Sequence, residues 1–230
     1  MIVLIDNIMK SSQSGFTLIE IAIVLVIIGL LIAGVVKGQE LINSPKLKSL
    51  AKDFKNVPIF IYGYQDKYND LPGDDSNVLA HLAGSAACTP ATAGLCNPGN
   101  GIIDGGWDAS AITAESYVFW QHVRLAGLAS GSTIPGAADY LPTNAVGGQI
   151  GVTNAGETPI TGLTGIYIVC SNAIPGKFAK QLDITLDDGN TQTGSLRAIP
   201  APAAQGAAAA TPTATTSIAD DSAYLVCMGY

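Results

Sequence analysis

Charge is scarce in this sequence. Only 13% of its 230 residues are Asp, Glu, Lys or Arg, and histidine occurs twice, as His81 and His122. No CxxC occurs and neither histidine stands at ligand spacing, which argues against a zinc centre. GxSxG, HExxH, P-loop and GxGxxG patterns are all absent, and the acidic residues cluster in turn-like sequences rather than as facing pairs. His122 follows Trp120 in a helical pattern and reads as a packed helix residue rather than a base. The chain is therefore read as no enzyme. Basic residues are rarest beyond residue 70, where Arg124, Lys177, Lys180 and Arg197 stand against twelve acidic side chains. A net charge of −7 repels phosphates and excludes a nucleic-acid grip resting on charge. Disorder is excluded as well, because 48% of the chain is hydrophobic.

What is abundant is an unbroken apolar run. Residues 16–36 read FTLIEIAIVLVIIGLLIAGVV, with Thr17 and Glu20 their strongly polar members. As a helix this run reaches about 30 Å, enough to cross a bilayer core. It is too long for a secretory signal peptide, and the cleavage point lies before it rather than after. Glu20 is the anomaly, since an ionisable group inside a spanning helix costs about 2.5–3.5 kcal/mol and marks function or a partner. Its bland explanation is snorkelling to the headgroups from a helix end. The sharper one needs a nearby cation, and a cut after Gly15 would create an α-amino group on Phe16, four residues away.

Gly15-Phe16-Thr17-Leu18-Ile19-Glu20, followed by the apolar helix, resembles the N-terminus of type IV pilins and of type II secretion pseudopilins. The resemblance implies that a prepilin peptidase cuts between Gly15 and Phe16 and methylates the Phe16 amine. It implies residence in the inner membrane, then extraction by an assembly platform and its ATPase into a helical filament of copies of this chain. Glu20 becomes the assembly residue. Residues 1–15 are then a leader; MIVLIDNI is apolar, and Met9 opens a more ordinary leader with Lys10, so translation is expected to start there. The positive-inside count, Lys10 against Lys37, Lys46 and Lys48, runs the other way. The resemblance nevertheless places the leader in the cytoplasm and the remainder outside it, as a surface pilus or a periplasmic pseudopilus. The alternatives are a pseudopilin and a membrane-tethered binding module that does not polymerise.

Residues 37–70 form an amphipathic stem, with Leu41, Leu47, Leu50, Phe54, Val57, Ile61, Tyr64 and Tyr68 mostly at helical steps. Pro45 and Pro58 are expected to kink or loosen it. Residues 71–230 read as an α+β head, the long helix packed on an antiparallel sheet. LPGD at residues 71–74 stops the stem, a helix is expected over 112–126, and strands are expected over 165–170, 183–186, 195–198 and 223–227. LPGDDSN, ESYVFWQHVRLAGLASG, LDDGNTQTGSLRA and a terminal YLVC are similar, in that order, to one subgroup of prepilin-like proteins.

Four cysteines allow three pairings; proximity favours Cys88 with Cys96, leaving Cys170 with Cys227. Two loops offer oxygen donors for calcium. LDDGN supplies Asp187, Asp188 and Asn190 and is the better candidate, although it is also an ordinary turn sequence; the other contains Asn97, Asn100, Asp104 and Asp108. The Ala/Pro/Thr-rich residues 200–217 read as a mobile surface loop.

Overall fold

A computed structural model describes residues 16–88, 95–201 and 209–230. Gly15, the rest of the leader and the Met9 start lie outside them. The chain divides into two units, Met1–Ser44 and Pro45–Tyr230. Helix α1, Leu18–Tyr68, begins in the first and ends in the second.

In the first unit the helix exposes apolar side chains all round, from Leu18 to Val36. Such a surface suits lipid or protein neighbours and not water. Its length and hydropathy are sufficient to cross a membrane. The first polar ornament beyond it is the exposed pair Lys37–Glu40, 2.8 Å apart.

In the second unit α1 turns one stripe inward. Leu50, Phe54, Val57, Ile61 and Tyr64 are buried at alternating steps of four and three, the period of a helix with one apolar face. The helix runs through both Pro45 and Pro58, the latter on its buried side. It stops where Asn69 adopts a left-handed backbone and its amide closes on the Gln65 carbonyl.

Beyond the stem come α2 (Val78–His81), α3 (Glu115–Leu125), β1 (Ile150–Thr153), β2 (Ile168–Pro175), α4 (Gly176–Leu186), β3 (Leu196–Pro200) and β4 (Ala223–Gly229). Among the described residues the strands form one four-stranded antiparallel sheet in the order β1-β2-β4-β3. The α+β expectation therefore holds: a long N-terminal apolar helix and an antiparallel sheet, in a pilin-like architecture.

Strand alternation gives the sheet two buried faces. Val169, Leu196, Ala198, Tyr224 and Val226 join the stem, α3 and α4 in the larger core. Ile168, Cys170, Ile199, Leu225 and Cys227 point to the opposite face, covered by Trp107, Ile160, Leu163 and Ala210. Gly151 lets that cover approach, since a Cβ there would lie 1.7 Å from the Trp107 carbonyl oxygen.

Two expectations need correction, and one strand lies beyond them. Residues 183–186 end helix α4 and are not a strand. Ile184 and Thr185 suggest a strand by β-branching, but they are exposed, while Phe178, Ala179, Leu182 and Asp183 are buried at helical spacing. Strand β1 is short and contains a glycine, so its pattern is too weak to read. Of the expected loop over 200–217, residues 202–208 lie outside the described residues, and the Thr-rich segment from residue 209 is held in place. Ala210 bridges to Ile160, Thr213 donates its amide to the Ala198 carbonyl, and Thr191 donates to the Thr213 carbonyl.

The turn after the stem depends on Gly73. Its φ is +96°, and a Cβ would sit 2.6 Å from the Glu115 carbonyl oxygen at the start of α3. Gly73→Ala is expected to destabilise the chain by more than about 1 kcal/mol, read from its urea midpoint.

Candidate functional site

The first turn of α1 is closed by its own side chains. Thr17 precedes the helix, and its hydroxyl oxygen accepts from the Glu20 amide at 3.3 Å. Glu20 Oε2 in return accepts from the Thr17 amide at 2.8 Å and from the Thr17 hydroxyl at 2.9 Å. This is a capping box, with two otherwise orphaned helix amides satisfied reciprocally. The Thr-x-x-Glu spacing that announces it stands in the sequence, beside the more conspicuous charge of Glu20. Glu20 thus has a partner within its own chain, beside the neighbouring amine expected for it. Phe16, the expected methylation site, is exposed; Gly15, the other side of the cut, lies outside the described residues.

The head holds several buried carboxylates, and most are fully engaged. Asp74 Oδ1 accepts from the amides of Gly99 at 2.6 Å and Asn100 at 3.1 Å, and Oδ2 from Gly101 at 2.8 Å. Burial raises its pKa, and the three amides oppose that rise. Asp75 Oδ2 takes the Tyr64 hydroxyl and His81 Nδ1, both at 2.7 Å, and Oδ1 the Asn77 amide at 2.8 Å. Burial works against its charge, but His81, Tyr64 and the Asn77 amide outweigh it and hold the pKa below the usual carboxylate value. Glu115 takes the amides of Asn97 at 2.6 Å and Asp104 at 2.9 Å.

The Asn97–Asp108 candidate loop for calcium is engaged with groups of its own chain. It points backbone N–H groups at the protein's own carboxylates, and it uses Asn100 Nδ2 on Asp104 at 2.9 Å. His122 is buried and its pKa is lowered by that burial. Its Nδ1 accepts from the Gly73 amide at 2.9 Å, so Nε2 carries the proton donated to the Ala86 carbonyl at 3.0 Å. It is a packing and hydrogen-bonding residue.

Both candidate cysteine pairs are bonded: Cys88 to Cys96, and Cys170 to Cys227 across directly opposed positions of β2 and β4. In the LDDGN turn, Asp187 Oδ2 accepts from the Leu196 amide at 2.8 Å, and Asp188 takes the Asn190 amide at 2.8 Å and the Thr193 hydroxyl at 2.7 Å. Asn190 is exposed, and its side-chain oxygen accepts from the Gln192 amide at 3.3 Å. The residue that sequence reasoning missed is Asp183, one helical turn before Asp187 and fully buried. Burial pushes its pKa up to about 6, opposed by the Gly189 amide and reinforced by the charges of Asp188 and Asp187.

Among known families, residues 10–36 match the prokaryotic N-terminal methylation motif, the signature of type IV pilins and pseudopilins. No curated protein and no solved structure matches the chain.

Two outcomes follow from these contacts. Thr17→Ala is expected to cost about 1 kcal/mol at the helix start. It should speed hydrogen exchange of the Glu20 amide in detergent micelles without affecting amides near Leu31. Glu115, with an ordinary value of 4.5, has its pKa pushed up to about 7 by burial, opposed by the Asp104 and Asn97 amides. The folded state thus holds this proton more tightly than the unfolded chain does. Its contribution is fully present below pH 4.5 and is lost as pH rises through about 7. The shift corresponds to on the order of 3 kcal/mol. Glu115→Gln should flatten the fall in melting temperature across that window; an unchanged slope would show that Glu115 does not titrate there.

Proposed function

We propose that this chain is a structural subunit of a type IV pilus-like filament, cut by a prepilin peptidase between Gly15 and Phe16, methylated at Phe16 and polymerised through its N-terminal helix. The observation that carries this reading is the methylation motif standing directly on a helix whose apolar surface is exposed on every side. In the inner membrane, lipid covers that surface. On extraction by a platform ATPase, the stems of neighbouring copies cover it instead, so apolar contact is exchanged rather than lost.

The polar groups set the register. In a spanning helix Glu20 carries a cost of about 2.5–3.5 kcal/mol. Its bonds to Thr17 satisfy part of its accepting capacity, and Oε2 makes all of them. The carboxylate thus keeps the capacity to take the Phe16 amine of an adjacent copy. At 4 Å and an effective dielectric near 20, that attraction is roughly 4 kcal/mol before desolvation. A subunit inserted out of register would bury the carboxylate without the amine.

The head carries a C-terminal disulfide, Cys170–Cys227, that ties the last strand into the sheet. A tie of this kind inclines the reading toward a pilin rather than a pseudopilin, because a surface filament is exposed to shear; the oxidising conditions that permit the bond hold in the periplasm as well.

Glu20→Ala is expected to leave membrane insertion intact and to abolish or sharply reduce sheared filaments; normal filaments from this variant would sink the pairing. Intact mass spectrometry of sheared surface filaments is expected to show the chain from Phe16 to Tyr230 with one methyl group and two disulfides. A processed chain confined to the membrane fraction would point to a pseudopilin. An unprocessed chain would point to a tethered binding module and overturn the reading.

A further inference from the structure

Three tyrosines, Tyr62, Tyr167 and Tyr230, border one cavity of about 340 Å³ in the head, beside the end of the stem and the start of β2. Gln65, Asn69 and Asp70 border the same space. Its volume falls in the range of small-molecule sites, roughly 300–1,000 Å³, which combine apolar walls with a few polar groups.

Two of the rings are held in place. Tyr167 and Tyr230 stack with centroids 5.5 Å and planes 17° apart. The Tyr230 hydroxyl donates to the Phe54 carbonyl at 2.8 Å, and the Tyr230 amide donates to the Tyr167 carbonyl at 3.0 Å. The third ring stands clear of the core. Tyr62 is 60% exposed, and Ile166, on the same cavity, is 74% exposed.

The charge around this cavity has one sign. Asp70 and Asp74 border it, and no lysine, arginine or histidine does so among the described residues. Asp74 gives its oxygens to three backbone amides. Asp70 forms no ion pair among the described residues. One Asp70 oxygen lies within 4.8 Å of Asp75 and His81, but His81 Nδ1 is taken by Asp75 at 2.7 Å. A cleft lined by one sign of charge concentrates ions of the other sign. The chain's own cations meanwhile cover other rings: Lys67 lies over Tyr68, Arg124 over Trp120 and Tyr140, and Lys177 over Phe178.

We propose that this cavity binds a small organic cation of the quaternary-ammonium class, held by the tyrosine rings and by Asp70. The negative face of an aromatic ring attracts a cation, and alkyl groups around the nitrogen suit apolar walls. An inorganic cation would need a shell of several oxygens, and Asp70 is the one carboxylate of the lining with oxygens to spare. A neutral ligand gains nothing from the charge, and an anion is repelled by it. The site goes beyond the filament reading and does not rest on it.

The full chain in a non-ionic polyoxyethylene detergent, which carries no ammonium group, is titrated with choline chloride by calorimetry. Expected is saturable binding of one choline per chain. Tyr62→Phe, which keeps the ring, should bind as the unaltered chain does, whereas Tyr62→Leu, which keeps apolar bulk without a ring, should bind about fivefold more weakly. Tyr62 is exposed, so both variants should keep the melting temperature of the unaltered chain. Asp70→Asn should weaken binding about threefold or more. Asp220→Asn, at the Lys180 pair and outside the cavity, should leave it unchanged. Dimethylbutanol, the neutral carbon isostere of choline, should bind about tenfold more weakly than choline. Phosphocholine separates two sources of the same chemistry: equal binding supports a site for a headgroup, and weaker binding supports a site for the free cation. No saturable heat with choline, equal binding of the carbon isostere, or full binding by both Tyr62→Leu and Asp70→Asn would overturn the site.

Discussion

Carboxylates taken out of water must find donors, and the head is organised around that requirement. Asp74 and Asp75 are adjacent in sequence but face different parts of the structure. Asp74 gathers the amides of residues 99–101, while Asp75 gathers Tyr64 from the stem, His81 from α2 and the Asn77 amide. Glu115, the first residue of α3, gathers two more amides from the same loop. The intervening Gly73 gives its own amide to His122 on α3. One short turn after the stem thus joins stem, loop, α2 and α3 through hydrogen bonds, which are stronger in a low-dielectric interior than in water. The loop, rich in glycine and asparagine, supplies the amides because no side chains crowd them out.

The same requirement separates the two units of the chain. In the head, backbone amides meet the need. At the start of α1, with an apolar helix all around it, Glu20 can be satisfied only by its own first turn or by another molecule. The capping box with Thr17 is the local answer and stabilises the helix start. In the proposed filament the charge itself is left for a cation, the Phe16 amine that cleavage would supply. Asp183 is the third case, a buried carboxylate that shares a side-chain hydrogen bond with Asp188.

Much of this was legible. The apolar run at residues 16–36, the Phe16 and Glu20 spacing and the stem stripe from Leu50 to Tyr64 are periodic and long, and length makes a periodic signal robust. The strands around Cys170 and Cys227 are apolar on both sides because both faces of the sheet are covered, and they stand out for that reason. Where the reading failed, it relied on residue type over position. Ile184 and Thr185 read as strand, yet they sit on the exposed side of a helix whose inward side is Phe178, Leu182 and Asp183. The Ala/Thr-rich residues after 209 read as loose, yet Ala210 helps cover the second face of the sheet, where small side chains fit.

The sequence by itself determined the N-terminal features: an apolar helix long enough to span a membrane, the methylation motif, and one carboxylate four residues beyond Phe16. Those features are local, written in consecutive residues and in a single period. Only the tertiary structure decided how each acid of the head is satisfied. Asp74 meets its donors some 25 residues away, and Glu115 meets one of its own 18 residues away. Whether a carboxylate is stabilised or stranded depends on which distant amides the fold brings to it. No spacing along the chain encodes that, because it is set by how the loop wraps and how deeply each side chain is buried.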